Sequence, residues 1–177
     1  FSEIVVYSGE NRSFDIGYFN PISSHLEIDL NDRSNQLGNQ NSNGIWQAHI
    51  DWLILKKIGV IGQKKIMSTK VLVIGIGGLG CPLILYLANS GIRNLGLVDH
   101  DKVDISNLNR QILFTTKDVG KLKVLQAKKI IKKINKKIKI NKFKNKINKN
   151  NIKSIIKKYD IICDGTDNFE TRYLIND

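Results

Sequence analysis

The 177-residue chain has about the length of one domain, and 41% hydrophobic residues suffice for a packed core, which excludes disorder throughout. Its formal charge of +12 belongs to one segment: Lys121 to Lys158 holds 16 lysines and no arginine or acidic residue, leaving 12 basic against 16 acidic residues elsewhere, a net −4. No run of 18 apolar residues indicates a transmembrane helix, the start at Phe1 lacks the basic region of a signal peptide, and Cys81 and Cys163 alone cannot form a disulfide framework or a zinc set.

Residues 1–44 are rich in Ser, Asn, Asp and Gly and show no hydrophobic period, so they read as an irregular or poorly ordered extension ahead of a partial domain over 45–177. Apolar residues from Ile45 to Ile58 recur near helical spacing, which predicts a helix ending before Gly59. Lys70 to Gly75 is a short β-branched run closing on glycine, as expected of a strand buried on both faces of a parallel sheet. A helix is expected over 78–90 with Leu79, Leu83, Ile84, Leu87 and Ala88 on one side, then a strand over 94–99.

The lysine-rich segment is itself patterned. Leu122, Leu125, Ile130, Ile131, Ile134 and Ile138 keep the i, i+3, i+4 rhythm of an amphipathic helix from about Gly120, with lysines over its solvent face. Lys, Asn and Ile supply 70 of the 177 residues, and their codons are rich in A and T; coding bias accounts for the lysines at least as well as selection for a polyanion does. A strand to about Phe143, a short helix over 152–157, a strand over 159–164 and a last helix from Asn168 complete the pattern. Strand and helix alternate, so the fold class is α/β, Rossmann-like, with a mostly parallel sheet and helices on both faces.

Gly75-Ile-Gly77-Gly78-Leu-Gly80 follows a strand and opens a helix, the context in which a GxGxxG match carries weight. Such glycines let backbone approach phosphate, and the helix N-terminus offers free N–H groups. Asp99, 19 residues after Gly80 at the end of the next strand, is placed to accept from ribose hydroxyls. These features alone do not separate ATP from a dinucleotide, so an NAD(P)- or FAD-dependent oxidoreductase is the alternative.

Four further elements bear on that choice: Asp99-His-Asp101, Ser106-Asn-Leu-Asn-Arg-Gln111, Gly120-Lys-Leu-Lys123 and Asp164-Gly-Thr-Asp167-Asn-Phe-Glu-Thr-Arg172 through Asp177. With them, the chain from about Gly59 to Asp177 resembles the adenylating domain of the ubiquitin-activating (ThiF/MoeB-like) superfamily. The branch that activates small sulfur carriers in molybdopterin and thiamine biosynthesis is the nearest. Acyl-adenylate formation needs a polyanion held and charge neutralised on a leaving pyrophosphate, which fixed cations and Mg²⁺ supply. Arg110 and Lys123 provide such cations, and Asp167, beyond a strand's carboxyl end, is a hard oxygen ligand for Mg²⁺.

The resemblance implies an adenylyltransferase that joins AMP from ATP to the C-terminal glycine of a ubiquitin-like sulfur carrier. It implies that Gly75, Gly77, Gly78 and Gly80 form the phosphate loop, that Asp99 holds the ribose, and that Asn107, Arg110 and Lys123 contact phosphates. Asp167 would hold Mg²⁺ with Asn168 beside it, and Asp101 and Gln111 would have supporting roles. It further implies a homodimer. Asp167 at a helix start is equally suited to capping, and the two uses can coexist. His100 reads as an exposed loop residue, Arg172 as a structural ion-pair partner, and both cysteines as buried and inert. Neither a membrane nor a nucleic acid is an expected partner, since the lysine run offers only Phe143 and Tyr159 for stacking.

Two departures qualify the match. Where relatives carry Arg-Tyr-x-Arg-Gln, this chain has Ala48-His-Ile-Asp51-Trp52, so either the segment upstream of about Leu53 is not homologous or activity is impaired. The chain also stops at Asp177, ahead of the carrier-docking surface and the paired CxxC motifs that hold structural zinc in many relatives. A truncated copy is therefore expected, with a four-stranded sheet exposing an apolar edge and weak or no ATP binding on its own. The expected compartment is a reducing one, cytoplasm or plastid stroma.

Overall fold

The computed structural model describes residues 5–8 and 59–176. In chain order these form β1 (Val5–Ser8), α1 (Gly59–Ser68), β2 (Lys70–Ile74), α2 (Gly80–Asn89), β3 (Asn94–Val98), α3 (Lys123–Ile134), β4 (Lys139–Phe143), α4 (Ile152–Ile156), β5 (Ile161–Asp164) and α5 (Phe169–Asn176). The sheet runs β1-β5-β2-β3-β4, with β5, β2, β3 and β4 parallel and β1 antiparallel to β5. This is the Rossmann-like arrangement the alternation of elements predicts.

β2 is central and buried on both faces, so its β-branched residues divide by the period of two between two cores. Val71 and Val73 join Leu95, Leu97, Ile84 and Ile131 beneath α2 and α3. Leu72 and Ile74 join Val98, Ile152, Ile155 and Ile175 beneath α4 and α5. β4 lies at the other edge of the sheet, where exposed Lys139 and Lys142 hinder edge-to-edge pairing. In α3, Val124, Ala127 and Ile131 turn inward and most of the intervening lysines remain at the surface.

Three sequence expectations need adjustment. The helix expected over 45–58 lies outside the described residues. A helix not anticipated, α1, begins at Gly59; its two glycines blur the periodic signal, and its buried residue is Gln63, whose Nε2 donates to the Ser90 carbonyl at 3.0 Å. Within the segment expected to be irregular, residues 5–8 pair with β5, Val5 opposite Asp164 and Ser8 opposite Ile161. The outer edge of β5, expected to be open, is therefore covered by β1. No helix among the described residues is long and apolar enough to cross a membrane.

Candidate functional site

From β2 the chain crosses to β3 and β4 on one side, while β5 lies on the other. The loops leaving β2 and β5 thus diverge at their carboxyl ends, the switch point where open α/β sheets bind ligands. A cleft of ≈ 540 Å³ opens there.

Its floor is the glycine loop. Gly75 adopts φ 87°, a conformation L side chains rarely take. At Gly80 an added Cβ would lie 2.0 Å from the Gly75 carbonyl oxygen, so only glycine lets α2 start this close to β2. Gly80 does not line the cleft; its part is packing. No side chain caps α2 at Leu79; in its first turn the Cys81 N–H donates to the Gly77 carbonyl at 3.0 Å. The Arg110 methylenes lie across Gly78, about 3.5 Å from where a Cβ would stand.

Asp99, 8% exposed, ends β3 and ties the wall to the floor. One carboxylate oxygen accepts from the Ile76 N–H at 2.7 Å and the other from the Asp101 N–H at 2.8 Å. Burial pushes its pKa above the ordinary carboxylate value, against those two backbone hydrogen bonds and the positive charge of Lys123. Two lone pairs on the carboxylate remain for ribose hydroxyls.

The crossover from β3 to α3 delivers the cations. Asp104 caps the turn at Ile105–Asn107, accepting from Ser106 N–H and hydroxyl at 2.8 and 2.6 Å. Asn107, Arg110 and Gln111 follow from this turn and all line the cleft. Arg110 Nη1 donates to the Ser106 carbonyl at 3.3 Å and to Asn109 Oδ1 at 3.1 Å, and the residue stays exposed. Gln111 is buried, and its Oε1 has no hydrogen-bond partner among the described residues. At the start of α3, Lys123 is buried, with Nζ 3.2 Å from Asp101 Oδ2. Asp101 also takes the Lys123 N–H on its carbonyl at 3.0 Å.

The β5–α5 loop supplies Asp167. Asn168 caps α5 by accepting from the Thr171 N–H at 2.9 Å, which leaves the Asp167 carboxylate without a capping task. Asp167 is exposed in the cleft, with no hydrogen-bond partner among the described residues. Asp99, His100 and Asp101 also converge within 4.8 Å. However, both Asp99 oxygens hold backbone amides, and Asp101 faces Lys123 and, at 3.4 Å, His100. Asp167 is the freer carboxylate for a hard cation.

Gly75, Gly77, Gly78, Asp99, Asp101, Asn107, Arg110, Gln111, Lys123, Asp167 and Asn168 all line this cleft. Residues not anticipated there are Asn145, Lys146 and Ile147 after β4, and Gly165, Thr166 and Thr171 around the β5 turn. Asn145 to Ile147, Gly165 and Thr166 share one signal, a position just past the carboxyl end of a parallel strand, whereas Thr171 lies inside α5. Arg172 lies behind the loop, its Nη2 donating to the Thr166 carbonyl at 3.1 Å. Both cysteines are buried: Cys81 is pushed up to about 11, burial outweighing nearby Lys123, and Cys163 to about 12 by burial alone. Neither is a thiolate at neutral pH.

A glycine turn, a helix start with no side-chain cap, the buried Asp99 carboxylate and two cations, Arg110 and Lys123, meet at the switch point of a Rossmann-like α/β domain. More narrowly, the chain belongs to the ThiF family, whose model matches residues 51–177. It is 51% identical over 124 residues to a probable molybdopterin-synthase adenylyltransferase of Gracilaria tenuistipitata var. liui, covering 70% of this chain and 35% of that protein. It is 40% identical over 125 residues to the sulfur carrier protein adenylyltransferase of Thermus thermophilus, covering 71% of this chain and 46% of that one. Among solved structures, E. coli MccB with ATP is similar at 30% identity and TM-score 0.58, over 66% of this chain and 35% of that chain. The E. coli dehydratase TcdA, at 24% identity and TM-score 0.70, shares the fold over 76% of this chain and 56% of its own. The chain spans about a third of the length of most of the curated relatives it matches. The oxidoreductase alternative is not favoured, since these curated relatives are named adenylyltransferases.

Proposed function

We propose that the cleft binds ATP and that the protein adenylates the C-terminal glycine carboxylate of a small ubiquitin-like sulfur carrier. The observation that carries this reading is the convergence of Arg110, Lys123, Asp99 and Asp167 on one cleft with the uncapped start of α2. The carrier carboxylate attacks the α-phosphorus, the bond to the bridging oxygen breaks, and pyrophosphate leaves with the displaced electron pair. The products are carrier acyl adenylate and pyrophosphate.

The residues divide that work by their chemistry. Asp99 fixes the ribose, and the α2 N-terminus and glycine loop face the phosphates. Arg110 offers a planar two-pronged donor for phosphate oxygens, and Lys123 a point charge. In the nucleotide-free protein Asp101 holds Lys123; on binding, phosphate oxygens replace the Asp101 carboxylate as its partner. Asp167 fits a Mg²⁺ ion, being an exposed carboxylate in the cleft that no cap or ion pair among the described residues engages. Bound there, Mg²⁺ would supply charge neutralisation on the phosphates. Pairing of two copies is part of the same reading, and Ile105 and Ile112, 68% and 64% exposed on the crossover, are apolar surface that such a contact would cover.

Carrier-dependent ATP–pyrophosphate exchange tests the proposal. The whole protein is expected to catalyse exchange with a carrier ending in Gly-Gly and to lose it on Asp167→Ala or Arg110→Ala. Exchange that survives both changes would overturn the site assignment.

A further inference from the structure

Asp164 ends β5 with 0% exposure. Its Oδ1 accepts from the Thr166 N–H at 2.9 Å and from the Thr166 hydroxyl at 2.7 Å. Within α5, Arg172 donates to the Thr166 carbonyl at 3.1 Å. Thr166 is therefore held at its amide, its hydroxyl and its carbonyl together. Two residues on, Asn168 is fixed by its cap on Thr171. Asp167 stands between these anchors, its backbone held on both sides and its side chain in the cleft.

Stability alone does not account for this arrangement. A buried carboxylate is costly unless its oxygens are hydrogen-bonded, and Asp164 Oδ2 has no hydrogen-bond partner among the described residues. Burial raises the pKa of this carboxyl, while its Thr166 hydrogen bonds and the positive charge of Arg172 work the other way. Folds tolerate such half-satisfied groups where geometry matters more than stability. The geometry here also reaches the phosphate loop: Thr166 Cγ2 lies 3.1 Å from where a Gly75 Cβ would stand, and Gly165 packs on Gly75 equally closely. Holding Thr166 thus sets the β5–α5 loop against the glycine loop.

We propose that Asp164 and Arg172 are positioning residues that act through Thr166 to aim the Asp167 carboxylate at the divalent cation of bound nucleotide. This rests on the ATP reading above and assigns work to two residues that need not touch the nucleotide. Arg172, expected from sequence to be only an ion-pair partner, holds the loop by a hydrogen bond to backbone.

The test compares ATP affinity in Mg²⁺ with ATP affinity in EDTA, together with amide hydrogen exchange over residues 165–168 of the nucleotide-free protein. Arg172→Ala is expected to speed that exchange and to cut the Mg²⁺-to-EDTA affinity ratio about 10-fold or more, the usual scale for groups that orient a metal ligand. Its EDTA affinity should stay at the wild-type level, and Arg172→Lys should restore part of the ratio. Asp164→Ala, which removes the acceptor of the Thr166 amide and hydroxyl, should lower the ratio in the same direction if Arg172→Ala fails to fold. Unchanged exchange, or equal losses with and without Mg²⁺, would overturn the inference. A wild-type protein that gains nothing from Mg²⁺ would overturn the metal reading of Asp167 and this inference with it. A wild type that does gain, beside an Arg172→Ala that keeps the full ratio, would overturn this inference alone.

Discussion

Two regions of the molecule hold their cations in different ways: the cleft at the carboxyl ends of the strands, and the outer surface of α3 and β4. The cleft holds few, but they are placed. Lys123 is 5% exposed and faces Asp101 at 3.2 Å, and Arg110 lies over the phosphate loop. On α3, β4 and the turn between them, Lys129, Lys133, Lys136, Lys139 and Lys142 stand in solvent, where charges are screened beyond about 8 Å at physiological salt. The same side chain is buried and ion-paired in the cleft, where the proposal gives it phosphate to hold, and is a solvent coat and edge guard on the outer surface. Burial and convergence mark the functional charge, and the total of +12 does not.

The comparison breaks most visibly at the cleft floor. Gly80→Val drives a side chain into the Gly75 carbonyl, backbone that cannot swing away, and is expected to destabilise the fold by about 3 kcal/mol or more by urea denaturation. A wild-type midpoint would show that α2 and β2 are not packed this closely. Lys123→Ala should lower ATP affinity about 10- to 100-fold, the scale of a charged hydrogen bond, whereas Lys129→Gln with Lys133→Gln should leave it unchanged. Titration calorimetry on the two variants decides it; comparable losses would erase the distinction between the regions.

Smaller effects sharpen the contrast further. Lys136→Gln on the solvent coat should change stability by no more than about 0.5 kcal/mol. Asp164, raised by burial, behaves oppositely to a surface-paired carboxylate. A folded-state pKa above the unfolded value means stability present at low pH is lost as pH rises through the raised value. Asp164→Asn removes that loss, so its melting temperature relative to wild type should climb as pH rises above about 4. A difference independent of pH would show that the carboxyl titrates alike in both states.

Much of the central sheet was legible because its signals are local. The β-branched run at Lys70–Ile74 and the amphipathic spacing of α3 need no knowledge of partners. The cleft residues were legible by motif order, and the fold brings them to one place because parallel strands end on one side. What escaped depends on distant geometry. β1 carries a β-branched pair, Val5-Val6, but is only four residues long, and its partner strand lies more than 150 residues on, so its pairing is not legible locally. Asp167 and Asn168 are both good capping types, and only the loop path assigns the cap to Asn168. The approach of Asn145–Ile147 to the cleft follows from strand order, and the grip on Thr166 from the packing of α5.

The central claim, that nucleotide is handled in the cleft and not on the lysine surface, is tested most directly by photo-crosslinking with an azido-ATP analogue and peptide mapping. The label is predicted in peptides spanning 75–80, 144–147 and 165–168, and excess ATP should protect them. Label concentrated on 128–142, over the lysines of α3 and β4, would contradict the account.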